Sequence, residues 1–422
     1  MSKIGIRRSP SLVMGHAVKV AAVTSLAIQA GTVAGLIAFD AYKKRGRRKR
    51  VQFTRPGTFE NRVGENGVQI FTYGADLYEE MISDIEKAKH SILLETYLWK
   101  SDEVGTRFRD ALNDAARRGV EVKVIFDGMG NLVVNPFFYK FDPSVQVFRL
   151  PIFRPQFIFN PIDFSGLTHR KMLIVDHECA YVGGYNLGSL YATQWRDTHV
   201  KLTGPETWEL QHSFRVVWNR LAARGRGRDV MPRIDSNEAW DSKIRSVDNI
   251  PARRTYPIRS MYLSAIDKAD NHIFLTTAYF IPDQQVLDAL IQASQRGVDV
   301  RILIPKDSNH ILADFVSRGY WRRLLDAGVT VLLYEDAMIH AKTMTVDGKW
   351  STIGTANIDR LSLSFNYEVN TEITDAGVAA SMEKIFHADA GNAHALTREE
   401  WQQRHRLARF AEIVVAPFAP LM

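Results

Sequence analysis

Cysteine is all but missing from this chain: Cys179 is the one such residue among 422. That excludes an internal disulfide and with it a secreted, disulfide-stapled framework. Cys179 lies two residues before Tyr181 in an apolar run and reads as a small buried hydrophobe. Metal-ligand spacing is missing too. No H-x-x-x-H occurs, there is no cysteine cluster, and lysines beside the histidines of interest would repel a cation. We therefore expect no metal and no other cofactor. The apolar content of 45% with 24% charged residues excludes a disordered chain and suffices for one large or two ordinary cores.

An excess of positive charge is also missing where a polyanion-tracking enzyme would need it. The formal net charge is +7, but residues 1–55 hold 12 Lys/Arg against the single acidic Asp40. Positions 56–422 are left with 42 basic and 46 acidic residues, a net of about −4. This weighs against a nucleic-acid partner. The N-terminal segment has an uncharged run from Val20 to Phe39, followed by Lys43, Lys44, Arg45, Arg47, Arg48, Lys49 and Arg50. Twenty residues suffice to span a bilayer as a helix, and the basic cluster resembles a stop-transfer flank favouring the cytoplasmic side and anionic headgroups. The expectation is a membrane-spanning or deeply interfacial helix, with an amphipathic surface helix or a disordered leader as alternatives. Gly31 and Gly35 are spaced for helix pairing, a thin basis for a homodimer.

What is present is a motif that occurs twice. His169, Lys171 and Asp176 read H-x-K-x4-D, as do His340, Lys342 and Asp347. Gly183, Gly184 and Asn186 recur as Gly354, Thr355 and Asn357, and Asp197 recurs as Glu368, every pair separated by 171 residues. Seven positions at one offset imply two copies of half an active site. The residue types suit a phosphodiester: one histidine to attack phosphorus, one to protonate the leaving oxygen, and lysines and asparagines to hold phosphoryl oxygens. A carboxylate on the other ring nitrogen would fix each imidazole tautomer. Asp197 and Glu368, each 28 residues beyond the histidine of its own half, are the candidates. Asp176 and Asp347 are grouped with the catalytic set, although their place at strand ends favours bonding to local backbone.

The repeat extends upstream. Ile85 to Leu94 aligns with Ile266 to Leu275, and Asp110 to Val122 with Asp288 to Val300. Each half reads helix, strand, helix, strand, with helices ending at Gly119 and Gly297. Strands are expected over Val120–Phe126, Val298–Ile304, Met172–Val175 and Thr343–Val346, the last two turning back at Asp176-His177 and Asp347-Gly348 and carrying histidine and lysine on one face. The fold class is α/β: two halves about a pseudo-twofold axis with one shared site. The expected organisation is an N-terminal membrane segment over 1–55, a first half over 56–240 and a second over 241–422, with a connector from Arg224 to Pro257. Pro151 to Pro161 is either a packed loop or an apolar lip, and the tail from Phe410 either docks on the protein or touches a membrane.

These motifs resemble the phospholipase D superfamily. The longer runs THRKMLIVDHECAYVGGYNLG, WRDTHVKLTGP and IHAKTMTVDGKWSTIGTANIDRLSLSFNYEVN are similar to bacterial cardiolipin synthases, over roughly residues 66–422. Gly184 departs from the pattern, standing where Thr355 supplies a hydroxyl. The resemblance implies a membrane-bound phosphatidyltransferase working on phosphatidylglycerol through a phosphatidyl-histidine and releasing glycerol, with His169 as nucleophile and His340 as acid/base, although sequence symmetry allows the reverse. Lys171, Lys342, Asn186 and Asn357 would hold the phosphoryl oxygens, with help from Thr355. The alternatives are a hydrolase making phosphatidic acid, a nucleic-acid phosphodiesterase and a non-enzymatic membrane scaffold. Phosphatidylethanolamine or a nucleotide-activated lipid could replace one phosphatidylglycerol.

Overall fold

The computed structural model describes residues 27, 29–39, 42, 53–150, 166–224, 230–233 and 243–421. The first half contains β1 (Thr58–Val63), β2 (Asn66–Phe71), β3 (Ser91–Thr96), β4 (Glu121–Asp127), β5 (Gln146–Leu150), β6 (Met172–Val175), β7 (Cys179–Gly183), β8 (Trp195–Arg196) and β9 (His199–Thr203). The second contains β10 (Ile244–Asn249), β11 (His272–Thr276), β12 (Phe280–Ile281), β13 (Asp299–Pro305), β14 (Thr330–Tyr334), β15 (Met338–Ile339), β16 (Thr343–Val346), β17 (Trp350–Gly354), β18 (Ile358–Asp359), β19 (Glu368–Thr374) and β20 (Ala393–Ala395). Each half builds an eight-stranded mixed sheet, ordered β1-β2-β9-β7-β6-β3-β4-β5 and β10-β19-β17-β16-β11-β13-β14-β20. The core β9-β7-β6-β3-β4-β5 recurs as β19-β17-β16-β11-β13-β14, so the duplication read from the sequence is one of architecture.

Local chemistry explains the matching elements. Helix Glu103–Arg117 is capped by the Asp102 carboxylate, which accepts from the Gly105 N–H at 3.0 Å. Helix Gln284–Gln295 is capped in the same way by Asp283, and such caps satisfy amide groups that have no partner within the helix. Both crossovers then leave the helix through a glycine with positive φ, 91° at Gly119 and 98° at Gly297, and enter a parallel strand, β4 beside β3 and β13 beside β11. Phe108, Leu112, Val122 and Val124 pack on one side of the first sheet, and Val286, Leu290, Val300 and Ile302 on the matching side of the second.

The opposite faces of the two sheets meet. Val182, Val200, Ile353, Val369 and Ile373 belong to one buried cluster, so the halves share a core. Strand exchange reinforces it: β8 pairs in parallel with β15, and Thr168 bridges to Tyr367.

The 20-residue apolar run lies partly outside the described residues. Its described part is helical over 29–39, Leu36 packs against the cluster of Ile281, Phe315 and Val316, and no helix among the described residues is long and apolar enough to cross a membrane. The basic cluster at 43–50, the Pro151–Pro161 segment and the junction at 240/241 lie outside the described residues. At the other end, helix Arg406–Val415 buries Ala411 and Val415 while Leu407, Phe410 and Ile413 are exposed. Cys179 is buried, with its thiol donating to the Asp84 carboxylate at 3.3 Å.

Candidate active site

His169 and His340 sit three residues before β6 and β16, so each lysine adjoins its strand instead of lying within it as the spacing suggests. Both histidines are held by the opposite half. The His169 N–H donates to the Tyr367 carbonyl at 3.0 Å, and the His340 N–H to the Arg196 carbonyl at 2.7 Å. The next residue along each supporting strand supplies a carboxylate. Glu368 accepts from His169 Nδ1 at 2.9 and 3.1 Å, and Asp197 from His340 Nδ1 at 2.6 Å. Each orienting acid therefore serves the histidine of the other half, whereas sequence spacing had joined it only to its own. A Nδ1–H donated to a carboxylate leaves the Nε2 lone pair free to face a ligand.

The two histidines, Asn186 and Asn357 line one cavity of about 560 Å³. The Asn186 Oδ1 accepts from the Leu98 N–H at 3.3 Å, which leaves its amide nitrogen for a ligand oxygen. The lysines lie behind this wall, almost fully buried. Lys171 Nζ donates to the His169 carbonyl at 2.6 Å, and Lys342 Nζ to the His340 carbonyl. Tyr97 packs edge-on to His169 with ring centroids 5.0 Å apart, and Trp195 lies 4.9 Å from His340.

Burial sets the protonation states. It drives Lys171 down to about 7, opposed by Glu368, and Lys342 down to about 8, opposed by Asp197. Burial also lowers His169, against the pull of Glu368, and lowers His340 strongly, helped by both lysines. Desolvation disfavours charge in every case. The negative charge of an arriving phosphodiester opposes this lowering and favours protonated lysines and an added proton on a histidine.

The lysine values fix a pH dependence. A phosphodiester binds the charged ammonium forms, which are complete only well below pH 7 and are lost as the pH rises through 7 to 8. The KM for a soluble short-chain phosphodiester lipid should therefore rise about tenfold or more between pH 7 and 9. A KM constant across that range would remove the lysines from phosphate binding.

The structure places Asp176 and Asp347 on local backbone, at the strand ends away from the histidines. Asp176 accepts from the Lys89, His90 and Ser91 N–H groups at 2.7, 2.7 and 2.8 Å, and Asp347 from Asp270, Asn271 and His272 at 2.8 Å each. Those amides hold both carboxyls below the ordinary range. Each aspartate begins the turn at the end of its strand remote from the histidine, at φ 53°, and pins the start of β3 or β11. Asp176→Ala should destabilise the fold by about 2 kcal/mol or more, from charge-assisted bonds lost and a left-handed backbone imposed on alanine. Its turnover per folded molecule should stay within a few-fold. A Tm unchanged by the substitution would contradict this role.

Thr355 is likewise engaged within the protein. Its buried hydroxyl donates to Glu368 Oε2 at 2.5 Å and accepts from the Val369 N–H at 2.9 Å, so it orients the orienting acid. The departure at Gly184 follows from the same geometry: a Cβ there would lie 2.0 Å from Asp197 Oδ1. The shorter aspartate occupies the space that the longer glutamate leaves to a threonine.

Arg196, Asp389, Tyr279 and Asp359 were not singled out from the sequence. The Arg196 guanidinium pairs with Asp389 at 2.9 and 2.7 Å and steadies the strand that holds His340. The repeat could not mark these residues, because none of them has a like residue in the other half.

Comparison with known proteins follows this geometry. The family description "Cardiolipin synthase, PLD-like domain" matches residues 81–218 and 262–390. The chain is 34% identical over 400 residues to the major cardiolipin synthase ClsA of Bacillus subtilis, covering 89% of this chain and 82% of that protein. It is 32% identical over 369 residues to a cardiolipin synthase of Clostridium perfringens, covering 85% and 77%. Among solved structures, phosphatidylserine synthase of Haemophilus influenzae superposes with a TM-score of 0.65 at 14% identity, over 86% of this chain and 95% of that one, a likeness of fold.

Proposed function

The chain belongs to the cardiolipin synthase family of phospholipase D-type phosphatidyltransferases, and on that premise we propose how its residues divide the reaction. His169 Nε2 attacks the phosphorus of one phosphatidylglycerol. The bond from phosphorus to the glycerol oxygen breaks, and that oxygen takes the proton carried by His340 Nε2. The phosphatidyl group is then held on His169 while free glycerol leaves. A glycerol hydroxyl of a second phosphatidylglycerol enters, neutral His340 removes its proton, the new P–O bond forms and the N–P bond breaks, yielding cardiolipin. Glu368 and Asp197 hold the imidazoles in the required tautomer and stabilise the imidazolium states. Lys171, Lys342, Asn186 and Asn357 receive the phosphoryl oxygens.

The observation that carries this reading is the exchange of carboxylates across the halves, which sets two imidazoles, each with Nδ1 on a carboxylate, at one cavity. The test is product analysis by mass spectrometry after purified protein is incubated with phosphatidylglycerol in mixed micelles without added metal. Cardiolipin and free glycerol in equal amounts are expected, and phosphatidic acid alone would make the protein a hydrolase. The N-terminal apolar run with its basic cluster is the membrane attachment in this reading, with the catalytic halves on the cytoplasmic side. Helix 29–39 supports it by standing at the cavity, where Ile37 is part of the lining.

A further inference from the structure

The active-site cavity is not symmetric. The parallel pairing of Phe280–Ile281 with Ile358–Asp359 has its counterpart in the Trp99–Leu187 bridge of the first half. The threonine that closes each preceding turn donates to the equivalent carbonyl, Thr277 to Tyr279 and Thr96 to Leu98. Tyr279 thus matches Leu98, and Asp359 matches Gly188. In the second half these positions are polar. The Tyr279 hydroxyl donates to Asn309 Oδ1 at 2.6 Å, and Asp359 Oδ1 accepts from the Ser362 N–H at 2.7 Å. Tyr279, Asn309, His310 and Asp359 all line the cavity. In the first half a leucine faces the cavity, and a side chain at Gly188 would meet Lys100 Cγ at 2.9 Å.

This polar wall is contributed by the half that supplies His340 and lines the cavity that both histidines share. His310 is close enough to disfavour a proton on His340, and Asp359 is close enough to interact with both Glu368 and Lys342. In-line displacement places the departing oxygen on the side of phosphorus opposite the attacking group. If His169 attacks, the headgroup alcohol lies against His340 and this wall.

Resting on the transfer reading above, we propose that Asp359, with Tyr279 and Asn309, forms a polyol subsite that binds the free hydroxyls of the glycerol headgroup, both as it leaves and when it enters as acceptor. A carboxylate beside a phosphodiester is unsuited to holding the phosphate but accepts well from a neutral hydroxyl. Among the described residues the Asp359 carboxylate is bonded to Ser362 alone, and the Asn309 amide nitrogen has no acceptor, so both can serve a diol. A site built to pair hydroxyls rejects an analogue lacking them, because its own polar groups are then left bare.

The experiment is a competition. Phosphatidylglycerol, isotopically labelled glycerol and 1-propanol are incubated together with the enzyme, and labelled phosphatidylglycerol is compared with phosphatidylpropanol. Both products arise from the same phosphatidyl-enzyme: the N–P bond breaks, a P–O bond forms to the alcohol, and the alcohol proton passes to His340. Their ratio is therefore independent of how much of a variant is folded. The wild type should favour glycerol by at least about tenfold. Asp359→Ala should bring the ratio near one, and Tyr279→Phe part of the way. A wild-type ratio near one, or a ratio unchanged in Asp359→Ala, would overturn the subsite while leaving transfer intact. Phosphatidic acid as the sole wild-type product would overturn the transfer reading and the acceptor subsite together.

Discussion

His169→Ala is expected to lower kcat by at least about 10⁴-fold, and the loss should persist whatever the leaving group. Without the imidazole no N–P bond forms, and water or alcohol must attack directly in a cavity built for a two-step exchange. His340→Ala should fail differently. Its alcohol departs unprotonated, which is severe for glycerol but mild for a leaving group that is stable as an anion. A phosphatidyl ester of p-nitrophenol should therefore release nitrophenolate from His340→Ala in a burst of about one equivalent, and give no burst with His169→Ala. The reverse pattern would exchange the two roles, a possibility that the near-symmetry of the site allows on sequence alone. What separates the histidines is their surroundings: the half that supplies His340 also contributes the polar wall of the cavity, and Thr355 braces only the acid that serves His169.

Glu368→Gln is expected to reduce kcat by about 10³ to 10⁴-fold, although the glutamate touches no substrate and lies in the half opposite the histidine it serves. The amide can present its own N–H to His169 Nδ1, which would favour the tautomer with the proton on Nε2 and remove the attacking lone pair. It also cannot balance an imidazolium cation. The loss should fall on the phosphatidylation step, so that the nitrophenolate burst becomes slow in proportion, while thermal unfolding and KM change little. Asp197→Asn should act in the same manner on His340. Because Asp197 meets its histidine at 2.6 Å with Gly184 in the place of the bracing threonine, its loss should be felt chiefly in departure of glycerol. A Glu368→Gln enzyme within tenfold of wild type would mean that burial alone orients His169.

The duplication was legible because it was written in residues that recur: the two H-x-K-x4-D motifs, the helix ends at Gly119 and Gly297, and the strands after them. Their register in space follows from the same physics in each half, including matching caps at Asp102 and Asp283. Three features were not legible for identifiable reasons. Spacing tied Asp197 and Glu368 to their own histidines, but 28 residues say nothing about which half a strand faces once two sheets pack face to face. Asp176 and Asp347 recur as faithfully as the histidines, so recurrence could not separate a residue that anchors a strand end from one that meets the ligand. Asp359 and Tyr279 were invisible to a search for repeats because they break the repeat, and an active site that treats its two substrates differently must break it somewhere.

The most direct measurement is the mass of His340→Ala protein quenched after the burst and digested under conditions that preserve an N–P bond. The expected result is one phosphatidyl group per chain, on the peptide containing His169. An adduct on no peptide, or on any residue other than His169, would contradict a covalent transfer in which this histidine, held by an acid from the opposite half, carries the lipid.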